Sequence, residues 1–324
     1  MKDLKSSILK GKKGLVIGIA NERSLAWGIA KSAFQHGGEL ALTYQNEALK
    51  KRLIPLADKI NSDHIYEFDI QNYEKIPVFL KKLSQEFGKL DFIVHAVAFS
   101  DKEELKGDYV DTSKSNFLNT MEISCYSFTA LIKEALPFMN DKANFLTLSY
   151  YGAEKVIPHY NVMGIAKSAL ETSVKYLAAD LGKKGFRVNA ISAGPVRTLA
   201  ASGISDFRYI LKWNEYNSPL ERNITLDDVG GASVYLLSEL SSGTTGEILH
   251  VDVLFSHVQG DLDVYLYEMN GLELMRSSTT SSDNESIFYR TSENISLLME
   301  VVHHPSVSSP VESSISYVID VQMN

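Results

Sequence analysis

The strongest constraint on this chain is a set of seven short apolar runs: GLVIGIA (14–20), ELALTY (39–44), HIYEFDI (64–70), LDFIVHAVAF (90–99), NFLTLSY (144–150), RVNAIS (187–192) and EILHVDV (247–253). Several are nearly continuous rather than alternating, the pattern of strands buried on both faces of a parallel sheet. Helix-like stretches separate them, such as SLAWGIAKSAFQHG, closed by Gly37 and Gly38. Strand and helix alternate, so right-handed crossovers predict an α/β fold with a doubly wound parallel sheet of seven strands. Such sheets bind ligands beyond the carboxyl ends of their strands.

After residue 252 the pattern changes. DLDVYLYEMNG followed by LELMRSS alternates apolar residues around Asn270-Gly271, a strong hairpin signal. SIFYRTS, SLLMEVVHH and SISYVIDVQM read as further strands, with HHPSVSSPVESS as a polar loop. Charge shifts at the same point. Residues 253–324 hold two basic residues, Arg276 and Arg290, against ten acidic ones, whereas residues 1–252 carry 30 of each. Two domains are therefore expected, 1–252 and a small all-β unit over 253–324.

Neither part is basic enough for nucleic acid, and no run approaches the ~20 apolar residues that span a bilayer. The single cysteine, Cys125, excludes a disulfide framework and suits a reducing compartment. The first residues, MKDLKSSILKGKKG, lack the apolar core of a signal peptide, so a cytoplasmic protein is expected.

At the first strand's end, GIANERSLAWG lacks a full G-x-G-x-x-G: Gly18 is followed by Ala20, and the next glycine is Gly28. A turn here can aim backbone N–H groups and a helix N-terminus at a pyrophosphate, or can simply be a tight strand-to-helix turn. The second strand ends in TYQNE, where Gln45 and Asn46 offer no cation for a 2′-phosphate, which favours NADH. Lys50, Lys51 and Arg52 read as a solvated helix face. Asp69 suits either an adenine amine or the cap of the next helix.

Residues 148–170, LSYYGAEKVIPHYNVMGIAKSAL, place Tyr160 and Lys167 seven apart, two turns of a helix expected from Pro158 to about Leu181. Nicotinamide-dependent reduction needs a donor to the developing oxyanion. A tyrosine hydroxyl supplies one, and a lysine ammonium beside it eases proton donation and can bond the nicotinamide ribose. Spacing alone also fits a surface pair on an amphipathic helix.

YGAEKVIPHYNVMGIAKSALETSVKYLAADLG, RVNAISAGPVRTLAASGISDF and TGEILHVD closely resemble the NADH-dependent enoyl-acyl-carrier-protein reductases, divergent short-chain dehydrogenase/reductases. The likeness runs from about Gly11 to Asp252 and includes GIANERSLAWGIA, LALTYQNE and HAVAFSDKEELKGDYV. These reductases use Tyr-x6-Lys with a second tyrosine ten residues earlier, a pattern met here by Tyr150, Tyr160 and Lys167.

The resemblance implies a Rossmann-like fold, with Tyr160 donating to the enolate oxygen of a thioester. It puts Lys167 on the nicotinamide ribose and Tyr150 at the substrate. It implies Gly18, Ala20, Ser24 and Leu25 around the pyrophosphate, Asp69 and Ile70 at the adenine, and Ala96 and Val97 beside the adenosine. Val196 and Thr198 would stand near the carboxamide and pyrophosphate. Gln45 matches the NADH-using members. Ala98 and the lid segment LAASGISDF, with Leu199, Ala200 and Ile204, would meet the acyl chain. The implied reaction is hydride transfer from NADH to C3 of a trans-2-enoyl chain on acyl carrier protein, within a homotetramer, with no metal. The alternatives are a carbonyl (3-oxoacyl) reductase of the same superfamily and an inactive scaffold serving a binding module.

The family's Gly-Gly-Phe-like tail is replaced here by VLFSHVQGDLDVYLYEMNG. From FSHVQG onward the chain resembles the bacterial pre-peptidase C-terminal domain, which implies a fusion ending in a jelly-roll-like β-sandwich. Asp261, Asp263, Asp283, Asn284 and Glu285 are either calcium ligands or solvated turn carboxylates. His303 and His304 lack a clear third partner for a metal.

Overall fold

A computed structural model describes residues 5–198, 210–212, 214, 215, 218 and 220–251, and the backbone of residues 261–268, 273–278, 295–304 and 313–321. The chain divides into two compact units, residues 1–216 with 220–252, and 217–219 with 253–324.

The first unit is built on strands β1 (Lys13–Ile17), β2 (Glu39–Tyr44), β3 (Ile65–Glu67), β4 (Leu90–His95), β5 (Met139–Ser149), β6 (Arg187–Ala193) and β7 (Ile248–Val251). Each falls within or overlaps one of the seven apolar runs. They form one parallel sheet in the order β3-β2-β1-β4-β5-β6-β7, so the strand order reverses between β1 and β4.

Near-continuous hydrophobicity has a direct cause here, because alternate residues go to opposite faces. Leu15, Ile17 and Ile93 join one core layer; Val16, Phe92 and Val94 join the other. The first layer packs under α3 (Ile76–Glu86), α5 (Ser127–Ala135) and α6 (Val162–Gly182). The second packs under α1 (Leu25–Gln35), α2 (Glu47–Lys59) and α7 (Leu226–Leu237). Each fully buried aliphatic side chain contributes roughly 1.5–3 kcal/mol of transfer free energy, so these two layers dominate the cohesion of the unit.

Helix ends follow local chemistry. Asn46 caps α2 by accepting from the Leu49 N–H at 3.1 Å. Thr225 and Asp228 form a reciprocal capping box on α7. Gly37, at φ 94°, ends the turn after α1, as read from the sequence. The short helix α4 (Lys114–Met121) runs through a π-turn, Glu122–Tyr126, into α5.

In the second unit, β8 (Asp261–Glu268), β9 (Glu273–Ser278), β10 (Ile295–His304) and β11 (Ser313–Val321) form an antiparallel sheet ordered β11-β10-β8-β9. The hairpin expected at Asn270-Gly271 is the β8–β9 pair, with a register shift between Leu266 and Tyr267. The expected sandwich is corrected. A sandwich needs two facing sheets, whereas all the described strands of this unit join one ladder, with β10 pairing β8 on one side and β11 on the other. SIFYRTS lies outside the described residues.

Among the described residues no helix is long and apolar enough to cross a membrane, and no group of three or more His, Cys, Asp or Glu could hold a metal ion. Asp283, Asn284 and Glu285 lie outside the described residues.

Candidate active site

The carboxyl ends of β1 and β4 flank the strand-order reversal, where an open parallel sheet leaves a crevice. Gly18 leaves β1 at φ 105°, and a Cβ there would stand 2.1 Å from the Ala96 carbonyl oxygen. Only glycine allows this approach. Ala96 is tied to β1 through its N–H to the Ile17 carbonyl at 3.0 Å. Ser24 turns its hydroxyl back into the loop, accepting from the N–H groups of Ala20 and Asn21 at 3.0 Å each. It makes no side-chain cap on α1, and the first turn, which begins at Leu25, holds no acidic residue. The positive end of α1 is thus available to an anion, which fits the pyrophosphate of a dinucleotide. Gly28 has a different job. Its Cβ would meet the Leu226 carbonyl oxygen at 2.7 Å, and at Gly230 one would meet Ser32 Cβ at 2.7 Å, so these glycines let α1 and α7 cross closely.

Gln45 is exposed just past β2. Lys50 is engaged locally, with Nζ 3.0 Å from Glu47 Oε1 and 5.4 Å from the Tyr44 ring centroid. Asp69 does not cap a helix: its Oδ1 accepts from the Gln71 N–H at 3.1 Å in a local turn. Ile70 is buried in the core layer, and Val97 packs against it half-buried. Ala98 is exposed. Val196 packs on the opposite layer, and its carbonyl accepts from the Thr198 N–H at 2.8 Å. Leu199, Ala200 and Ile204 lie outside the described residues.

The tyrosines and lysine meet at the end of β5, but not as a helical face. The helix begins at Val162 rather than near Pro158, so Tyr160 precedes it. His159 (φ 59°) and Asn161 (φ 42°) hold left-handed backbone on both sides of Tyr160, which no continuous helix permits. Tyr160 is buried in a small cluster with Leu105, Val162 and Met163. Its ring meets Tyr150 edge-to-face with centroids 5.0 Å apart. Gly152 makes room, since a Cβ there would lie 2.4 Å from Tyr160 Cδ1. Burial, then the neighbouring Tyr150 and Glu171, push the Tyr160 phenol far above its ordinary range, so it is a neutral donor. Tyr151 is half-buried and edge-on to the His250 ring at 6.4 Å.

Lys167, on the first turns of α6, is 6% exposed and donates from Nζ to the Leu148 carbonyl at 2.7 Å. Burial pulls its ammonium down to about 8, against the opposing pull of Cys125 and Glu171. The site also holds residues that spacing did not single out. Ser149 donates to Glu171, one turn beyond Lys167. His95, at the end of β4, lies between Ser127 and Thr147. Ser124, in the π-turn, accepts from the Phe99 N–H at 3.0 Å and holds the loop after β4. The available signal was a second charged residue, Glu171, four after Lys167 on the buried face of α6.

The first unit is similar to known proteins over most of its length. Residues 18–253 match the family described as enoyl-(acyl carrier protein) reductase. Enoyl-acyl-carrier-protein reductase (NADH) 1 of Rhizobium meliloti is 58% identical over 247 residues, covering 76% of this chain and 91% of that protein. The NADH reductase of Rickettsia typhi is 55% identical over 245 residues, covering 76% and 94%. Among solved structures, the Anaplasma phagocytophilum reductase in complex with NAD superimposes at TM-score 0.74 with 59% identity, covering 78% of this chain and 94% of that one. That of Aquifex aeolicus gives 0.73 and 48%, covering 76% and 96%. The crevice at the strand-order reversal, the packed tyrosine pair and a match over most of the first unit have one reading: the chain belongs to the enoyl-(acyl carrier protein) reductase family.

Proposed function

We propose that the first unit reduces the trans-2 double bond of enoyl-acyl-carrier-protein thioesters with NADH, and that Tyr160 and Lys167 carry the reaction. The observation that carries this is a neutral, buried tyrosine and a buried ammonium at the sheet end beside the crevice. NADH supplies the hydride, delivered to C3. The chain's own work is to position and to manage charge. Gly18, Ala20, Ser24 and the first turn of α1 receive the pyrophosphate; Asp69, Ile70, Ala96 and Val97 border the adenosine; Val196 and Thr198 border the nicotinamide side. Gln45 leaves the ribose end without a cation. Tyr160 donates its hydroxyl to the thioester oxygen as negative charge gathers there, which stabilises the enolate. Lys167, held at the Leu148 carbonyl, would bond the cofactor ribose. Tyr150 packs against the Tyr160 ring and lines the acyl site with Ala98, Leu199, Ala200 and Ile204. The test is NADH consumption, followed by absorbance, with crotonyl thioester. Tyr160→Phe should lower turnover by about 100-fold, and undiminished turnover would remove the donor role. Turnover of acetoacetyl thioester in place of crotonyl would favour a carbonyl reductase.

For the partners, we read acyl carrier protein as the substrate's carrier and a homotetramer as the assembly, both supported by the family resemblance. Residues 253–324 we read as an appended module like the pre-peptidase C-terminal domain. That rests on the GDLDVYLY resemblance and on the antiparallel pairing of its strands. A chain ending at Asp252 that keeps its NADH oxidation supports the appended role; one that loses it makes the segment part of the reductase.

A further inference from the structure

Behind the proposed tyrosine and lysine lies a buried carboxyl that the reaction as described does not use. Glu171 is 8% exposed on α6, one turn beyond Lys167. It accepts from the Ser149 hydroxyl, the last residue of β5 and the neighbour of Tyr150. Lys167 donates to the carbonyl of the preceding residue, Leu148, at 2.7 Å. Ser168 donates to the Ala153 carbonyl in the turn that follows Tyr150. Three residues of one helix thus clasp the strand end and turn on either side of Tyr150. On the outer side, His250 Nε2 of β7 stands 2.9 Å from Glu154 Oε1.

We propose that Glu171 is a positioning residue of this reductase: through Ser149 it fixes the strand end that carries Tyr150, and its carboxylate is the counter-charge that holds the Lys167 ammonium for the cofactor. The inference rests on the assignment of Tyr160 and Lys167 made above. A buried ammonium without a nearby anion loses its proton or leaves the site. The titratable groups facing Lys167 are His95 on β4, Cys125 in the π-turn and Glu171 itself. His95 is neutral, and burial pushes the Cys125 thiol up, so neither offers a resident negative charge. Glu171 is the group left to supply that charge. Facing it are Ser149, Glu154, His250 and Lys175, with Lys167 and Tyr160 on its inner side. Burial and Glu154 raise its pKa, while the Ser149 hydrogen bond, His250 and Lys175 favour the carboxylate. The same charge helps keep the Tyr160 phenol protonated, so one carboxylate supports both forms that the reaction requires.

The test compares pH profiles of kcat/KM for crotonyl thioester, and NADH affinity, in full-length E171Q, E171D and S149A. Glutamine keeps an acceptor for Ser149 but carries no charge. E171Q should bind NADH about tenfold more weakly and move the basic limb of the profile down by about one pH unit. E171D should restore the limb, and S149A should leave it in place while kcat falls. E171Q with the wild-type limb and wild-type NADH affinity overturns the inference. A second measurement needs no variant: carbon-13 carboxyl shifts of labelled glutamate in the NADH-bound protein should show Glu171 ionised at neutral pH. A protonated Glu171 there overturns the proposal even if E171Q does not fold. Lys167→Met separates the two readings. If it is crippled while E171Q behaves as wild type, only this inference falls; if Lys167→Met is fully active, the site assignment falls and this inference with it.

Discussion

Acid should destabilise the first unit through His95, because burial holds its ring neutral. It ends β4 at 1% exposure, with Nε2 2.8 Å from Ser127 Oγ and Nδ1 3.1 Å from Thr147 Oγ1. Ser127 spends its own proton on the Ile123 carbonyl at 2.6 Å, so its oxygen accepts from His95 Nε2–H. The neutral ring is satisfied on that side. An added proton would put a charge into a fully buried place near the Lys167 ammonium. Burial first, then Lys167, hold the ring down to about 3.

The sign follows from linkage. The unfolded chain takes up a proton near pH 6.5, whereas the folded one resists until about 3, so the unfolded state binds more protons between these values. This contribution to stability is complete above pH 6.5 and is lost as pH falls towards 3. Its slope approaches about 1.4 kcal/mol per pH unit, which gives roughly 2–3 kcal/mol between pH 6 and pH 4. His95→Gln keeps a donor and an acceptor but does not titrate. Urea unfolding followed by the helical circular dichroism signal, which reports on the first unit, should show the wild type losing that much more stability than the variant over this range. At neutral pH the variant should be the less stable of the two, through lost ring packing against Phe128. Parallel pH dependences for the two proteins would refute the reasoning, because they would mean that His95 titrates alike in both states.

Two backbone predictions follow from the glycines. Gly28→Ala forces a methyl against the Leu226 carbonyl at 2.7 Å and should part α1 from α7, costing about 1–3 kcal/mol in thermal or urea unfolding. Gly18→Ala meets the Ala96 carbonyl at 2.1 Å from a left-handed backbone, so it should abolish NADH binding by calorimetry and lower the melting temperature more than Gly28→Ala does.

The strands were legible because their cause is local: alternate residues of each run feed two core layers, so Leu15, Val16 and Ile17 all had to be apolar. The Asn270-Gly271 hairpin was legible for the same reason, since turn geometry selects its residues where they stand. Tyr160 shows where that logic stops. Its seven-residue spacing from Lys167 suggested a shared helical face, yet the left-handed backbone at His159 and Asn161 takes it off the helix. What secures it there lies outside the helix: the Tyr150 ring, and, from farther along the chain, the Gly107 carbonyl that accepts from the Asn161 amide at 2.8 Å. The same distinction separates Gly18 from Gly28. A search for phosphate-binding glycines treats both as one motif, but Gly18 answers to its own turn and to Ala96, whereas Gly28 answers to Leu226 at the far end of the unit. No window short enough to show a period contains both Gly28 and Leu226. The role of such a residue is set by the packed sheet and its helices, which is also why no helical spacing singles out Glu171, whose partner Ser149 stands on β5.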